Sequence, residues 1–336
     1  LAANTTASNN TAVGQAALTA NTTGASNVAI GSLALDANTT ASFITAVGEK
    51  ALSANTTGQK NTAIGRATLQ ATTTQSNNTA VGYNALSGGS NVASDNTAVG
   101  MDALTSTTSG ANNTAVGVSA LTANTTGAAN VALGANALDT NTTGANNVAI
   151  GFTAASANTT GGELVGIGNG ALLTNTTGGF NVAVGSASLQ LNTTGASNTA
   201  VGRFALRSNT TASNNTAVGT SALTANTTGA GNVALGSLTL DANTTGNSNT
   251  AVGYVALGAN TTGGSNVAMG QSALGANTTG GNNVAVGISA LAANTIASSS
   301  VAIGVRALAA FNLNSAVSAY NTAIGEDAGN DVTTGV

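Results

Sequence analysis

The pentapeptide Asn10-Thr11-Ala12-Val13-Gly14 returns along this chain with a period of seventeen. Further starts fall at Asn27, Ile44, Asn61 and Asn78, then, after one inserted residue, at Asn96 and at each seventeenth position to Ser300. A last start at Asn321 follows a gap lengthened by four, which makes 19 copies. A unit this short cannot bury an apolar face by itself, so its copies must stack on one another. The reading is one continuous repeat domain over 10–336, preceded by a partial coil over 1–9, with insertions near 88–95 and 309–320.

Counted from its Asn, the unit reads Asn-(Thr/Val)-Ala-(Val/Ile/Leu/Met)-Gly-x-x-Ala-Leu-x-Ala-Asn-Thr-Thr-Gly-x-x. Position 5 is Gly in all 19 copies, as a sharp corner or a close backbone approach requires. Position 4 is always a large aliphatic residue or Met, and position 9 is Leu except at Ala155 and Gly329, so these two rows are the candidate core. Position 6 takes Gln15, Glu49, Arg66, Tyr83, Phe152 and Val305, a range that only a solvent-facing site tolerates. The apolar spacing fits neither a helical stripe nor a long alternating strand. It predicts an all-β solenoid of about 19 coils stacked at ~4.8 Å, each with a strand over positions 1 to 4, a Gly corner, a second strand over roughly 7 to 11 and an Asn-Thr-Thr-Gly turn. Stacking also lines identical residues into ladders, and Asn rows at positions 1 and 12 are expected to satisfy the turn amides.

Composition limits the function classes. The chain has no His, Cys, Trp or Pro, and its ten acidic residues are dispersed, so no catalytic, cofactor or metal site is expected. Asp36, Asp139 and Asp241 share position 10 but lie several coils apart and are read, with Asp102, Glu326 and Asp327, as solvated surface residues. Calcium-binding rolls need Asp in their turns, and here the turns carry neutral Asn-Thr-Thr-Gly. Gly166-Ile167-Gly168 is a repeat corner, since no strand-to-helix context makes it a nucleotide loop. The six basic residues, Lys50, Lys60, Arg66, Arg203, Arg207 and Arg306, are too scattered to follow a phosphate backbone, so nucleic acid is not an expected partner. No run of about 18 apolar residues is present to span a bilayer. Residue 1 opens directly into repeat sequence, and a targeting signal is expected to be removed or to lie outside the chain.

The strings Asn147-Val148-Ala149-Ile150-Gly151, Asn283-Val284-Ala285-Val286-Gly287 and Ser300-Val301-Ala302-Ile303-Gly304 resemble the head repeats of trimeric autotransporter adhesins. The longer unit Asn78-Thr79-Ala80-Val81-Gly82-Tyr83-Asn84-Ala85-Leu86 and the closing Asn321–Asp331 are similar to the repeats of tail-fibre-domain proteins. The resemblance covers essentially the whole chain and implies a left-handed β-roll that assembles as a homotrimer. It points to a passive shaft of an extracellular, cell-surface or virion fibre serving adhesion, with a host-surface or carbohydrate receptor. The head repeat of the autotransporters is shorter than the unit in this chain, and no anchor, stalk or chaperone domain is found in this sequence.

Two large aliphatic residues per coil are few for ordering so long a unit, so association between columns is expected, with the Thr/Val row at position 2 at or near the contact. Neither end carries a capping unit, and the column is expected to continue or to stack end to end. The alternative function is a lattice of Thr and Asn rows that binds ice or glycan. Asn-Thr-Thr occurs 14 times from Asn4 to Asn277 and is an N-glycosylation acceptor pattern, although the Asn row is read as buried in the turn. The exposed Tyr83, Phe152 and Tyr254 at position 6 are read as isolated surface aromatics.

Overall fold

A computed structural model describes residues 2–89, 93–313 and 315–334. The chain is an all-β parallel solenoid with a 17-residue coil, and the described residues contain no helix. Residues 90–92 and 314, which fall in the two expected insertions, lie outside the described residues. The chain divides into two compact units, residues 1–164 and 165–336. Among the described residues, the first carries nine three-residue strands, from Thr11–Val13 to Val148–Ile150, and the second ten, from Val165–Ile167 to Thr322–Ile324. Within each unit every strand pairs in parallel with its equivalent one coil away, as Thr11, Ala12 and Val13 do with Val28, Ala29 and Ile30. That register survives the lengthened coil that begins at Ser300, across which Val301 still pairs with Thr322.

The strand occupies positions 2 to 4, and its period of two decides what lies inside. Ala at position 3 points inward and is fully buried, as at Ala200, Ala217 and Ala234. Positions 2 and 4 point outward. This corrects the expected core: the position 4 row is not interior, with Val13 56 %, Leu133 44 % and Ile324 69 % exposed. The interior is thin and filled by Ala at positions 3 and 8 and Leu at position 9, the last at 0 % exposure in Leu121, Leu223 and Leu274. Gly166, which stands where other coils have Ala, shows the packing distance. A Cβ added there would sit 3.5 Å from Leu172 Cδ1 and 3.6 Å from Ala171 O, ordinary contact for a methyl and too close for a larger side chain.

The second strand is also corrected. Positions 6 to 11 form a turn, with left-handed backbone at position 7 (Leu33, φ 57°; Val255, φ 57°) and at position 9 (Leu35, φ 52°; Leu257, φ 52°). Position 17 is left-handed as well, as in Ser26 (φ 59°) and Phe43 (φ 61°). Such angles cost a non-glycine residue about 1 kcal/mol or more each, and the inter-coil ladder offsets them. Leu33 N–H donates to Gln15 O of the preceding coil and Leu35 N–H to Ala51 O of the following one, both at 2.9 Å. The turn wall is thus hydrogen-bonded along the axis like a strand without being extended. Position 5 behaves as expected. Gly219 has φ 138°, and a Cβ there would meet Gly236 O at 2.4 Å, so the corner admits no side chain.

Candidate functional site

Two Asn rows hold the coils together from within, as the sequence suggests. At position 1, Asn27 backbone N–H donates to Asn10 Oδ1 of the preceding coil (2.9 Å), while Asn27 Nδ2 donates to Ala41 O of its own coil (2.9 Å). At position 12, Asn192 Nδ2 donates to Asn175 Oδ1 (2.7 Å) and to Gly195 O (2.9 Å). The same pair of bonds recurs at Asn209, Asn226 and Asn243. The row is interrupted where the sequence places Thr72 and Thr107, and the ladder atom Asn55 Oδ1 and both threonine hydroxyls are buried without a partner there. In the coil that begins at Ser300, Phe311 takes the Asn place, is fully buried, and leaves Asn294 Oδ1 unpaired.

The Thr rows beside these Asn residues have different fates. Position 13 is half-buried, and its hydroxyl donates to the position 13 carbonyl of the next coil, as Thr193 Oγ1 does to Thr210 O (3.0 Å). Position 14 is exposed, as in Thr177, Thr194 and Thr211. One Thr row therefore faces solvent, in line with the alternation along an extended segment.

The outward face of the sheet is the most extensive feature that the interior does not explain. Position 2 is Thr in ten coils and Val in nine, and position 4 is Val, Ile, Leu or Met in all. Both rows are outside, they carry no charge, and successive coils bring like residues into register. This face combines exposure with an unbroken aliphatic row at position 4 and no charge at either position. Position 6 varies freely, and its Tyr83, Phe152 and Tyr254 are exposed as expected.

Charged residues sit around this frame in a few small, separate groups. Arg66 Nε donates to Glu49 Oε2 one coil earlier (3.1 Å), and its guanidinium lies 5.8 Å from the Tyr83 ring centre one coil later. Arg306 holds Asp327 with two bonds of 2.6 Å, which keeps that carboxyl below its usual range. Arg203 and Arg207 pack on the Phe204 ring at 4.2 and 5.1 Å. Among the described residues, no cluster of three metal-ligating side chains occurs, and no helix is long and apolar enough to cross a membrane.

The position 10 aspartates depart from the solvated reading. Asp36, Asp139 and Asp241 are half-buried, and Asp36 Oδ1 and Asp139 Oδ1 have no hydrogen-bond partner. Desolvation pushes all three carboxyls above the ordinary 3.8, against the pull of their own and the following backbone N–H groups. A carboxyl raised in the folded state stabilises it below the unfolded value, and that contribution is lost as pH rises through the folded value. The triple variant Asp36→Asn, Asp139→Asn, Asp241→Asn should therefore melt a few degrees higher than the parent at pH 7. Thermal melts should show that gain shrinking below the ordinary carboxylate value of 3.8. An equal gain at both pH values would mean that charge burial is not its cause. Compared with known proteins, the chain matches no family model and no curated protein.

Proposed function

We propose that this chain is a passive shaft segment of an extracellular or virion fibre serving adhesion, in which parallel copies associate through the outward sheet face. The observation that carries this reading is the pair of rows at positions 2 and 4, apolar or Thr in every coil although both point outward. Each coil offers about 4.8 Å of rise by about 10 Å of strand, so nine coils present on the order of 400 Å². An uncharged strip of that size matches the largest apolar patch of an ordinary monomer, which is often functional. Parallel chains about a closed rotation would bring equivalent rows together at every level, so the contact grows with length and does not propagate sideways. Three chains and a left-handed roll are the arrangement that the resemblance to trimeric autotransporter adhesin heads and tail-fibre repeats implies. A host-surface or carbohydrate receptor would then be met by a column whose interior is occupied by its own ladders.

The lattice alternative finds less support. The Asn rows are buried and the position 13 hydroxyls are bonded to the next coil, which leaves position 14 as the single Thr row of the turn that is open to a lattice.

Val182→Cys at position 2 should form inter-chain disulfides on mild oxidation far more readily than Ser186→Cys at position 6, because the chain has no other cysteine. Sedimentation equilibrium of the parent should give three chains. A monomer at all concentrations, or equal cross-linking by the two variants, would refute the arrangement.

A further inference from the structure

The fourteen Asn-Thr-Thr tripeptides place the acceptor of a modification inside the coil and its recognition hydroxyl outside. N-glycosylation reads the third residue of Asn-x-Thr, which here is the exposed position 14, as at Thr194 and Thr211. The acceptor is the position 12 amide, and thirteen of these fourteen asparagines, all but Asn4, are 0 % exposed. Transfer from a lipid-linked oligosaccharide diphosphate joins Asn Nδ2 to the anomeric carbon of the sugar. It breaks the bond from that carbon to the diphosphate oxygen, and Nδ2 gives up one proton. In the folded chain Asn192 has neither amide hydrogen free for this. Asn192 commits one to Asn175 Oδ1 and the other to Gly195 O.

The space beside the amide is equally closed. A single Cβ added at Gly195 would lie 2.5 Å from Asn192 Oδ1, 3.0 Å from Asn209 Nδ2 and 2.3 Å from Ala212 O. Gly246 and Gly263 show the same enclosure around Asn243 and Asn260. Where one methyl does not fit, a sugar ring cannot, and a glycan attached beforehand would keep that coil from closing on its neighbours.

We infer that these asparagines are acceptors only in the unfolded chain, so that N-glycosylation at position 12 and folding of this solenoid exclude each other, whereas the exposed acceptors Asn9, Asn77, Asn112 and Asn214 of the four Asn-Asn-Thr tripeptides lie outside the exclusion. Productive folding then takes place where the unfolded chain does not meet an Asn-x-Thr glycosyl transferase. This inference is independent of the proposed role as a shaft.

The test sends the full chain, behind a secretory leader, through cultured eukaryotic cells and compares it with chain made in a bacterial cytosol. Glycan occupancy is read by mass, and folding by far-UV circular dichroism and protease resistance. Cytosolic chain should be glycan-free and resistant, whereas secreted molecules with glycans on position 12 should be sensitive. A secreted mixture in which only molecules without glycan at position 12 are resistant also supports the exclusion. Two rescues separate glycan from any other cause. An inhibitor of lipid-linked oligosaccharide synthesis should restore resistance to the unchanged chain. Position 14 Thr→Ala in all fourteen tripeptides should do so without touching an Asn. Resistant molecules glycosylated at Asn192 or its equivalents would overturn the inference, as would sensitivity that persists under the inhibitor.

Discussion

Leu223→Asp should abolish cooperative melting of its unit, while Val218→Asp, earlier in the same coil, should leave the β-type circular dichroism intact. Leu223 is 0 % exposed and fills the narrow space between the Ala rows, where a carboxylate finds no partner. An unpaired buried charge costs upward of about 3 kcal/mol, and in a stack where each coil contacts its neighbours the damage spreads along the column. Val218 is 37 % exposed on the outer face of the sheet. Its replacement should act on association and lower the sedimenting mass without unfolding the coil. Thermal melts and sedimentation of both variants check this, and equal losses of ellipticity would return the position 4 row to the interior.

The second large effect is expected at Asn226→Asp, an isosteric change of one atom. Asn226 Nδ2 donates to Asn209 Oδ1 (3.1 Å) and Gly229 O (2.9 Å), while Asn226 Oδ1 accepts from Asn243 Nδ2 (2.8 Å). A carboxylate keeps the last bond and turns the first two into contacts between oxygens in a buried row. The loss should be on the order of 3–5 kcal/mol at neutral pH. Protonation returns one donor, so the carboxyl would titrate above its ordinary value. The variant should be closest to the parent in acid and fall behind as pH rises through the folded value. Melts from acid to mildly alkaline pH read this directly. Thr228→Asp, in the same turn and exposed, should be nearly silent. A pH-independent deficit at Asn226→Asp would mean that the row acts by shape alone.

Much of this architecture is legible before any coordinates. The period of the repeat, the Gly corner, the Leu at position 9 and the buried Asn rows all follow from which positions tolerate change among the copies. Two elements do not, for physical reasons. Uniform apolarity at Val13, Ile30 and Val47 does not distinguish an interior row from an outward one, since an outer face that another chain covers would leave the same trace as a core. The turn wall is hidden because Leu18, Leu35 and Leu52 adopt left-handed angles that leucine does not prefer. Nothing local in an Ala-Leu pair signals them, since the compensation comes from carbonyls of the next coil, as Ala34 O provides for Leu18 N–H. The position 10 aspartates escape a sequence reading for a similar reason, because their burial is imposed by adjacent coils. The candidate interaction face is legible only in half, through the Thr/Val row at position 2.

In-register pairing of near-identical coils has a consequence for how such a chain can change over generations. Removing residues 199–215 would bring Val182, Ala183 and Val184 opposite Thr216, Ala217 and Val218, in place of Thr199, Ala200 and Val201. Asn181 would keep Asn198, and Asn198 would meet Asn232 where Asn215 had been, so both inner rows would close over the gap. Gain or loss of a whole unit therefore shifts the length of a column by about 4.8 Å and leaves every junction chemically as before. Loss of a single residue, by contrast, would rotate one coil's Leu out of the interior. Length in this molecule is thus a heritable quantity that comes in discrete steps, free to drift or be selected without the fold being reinvented.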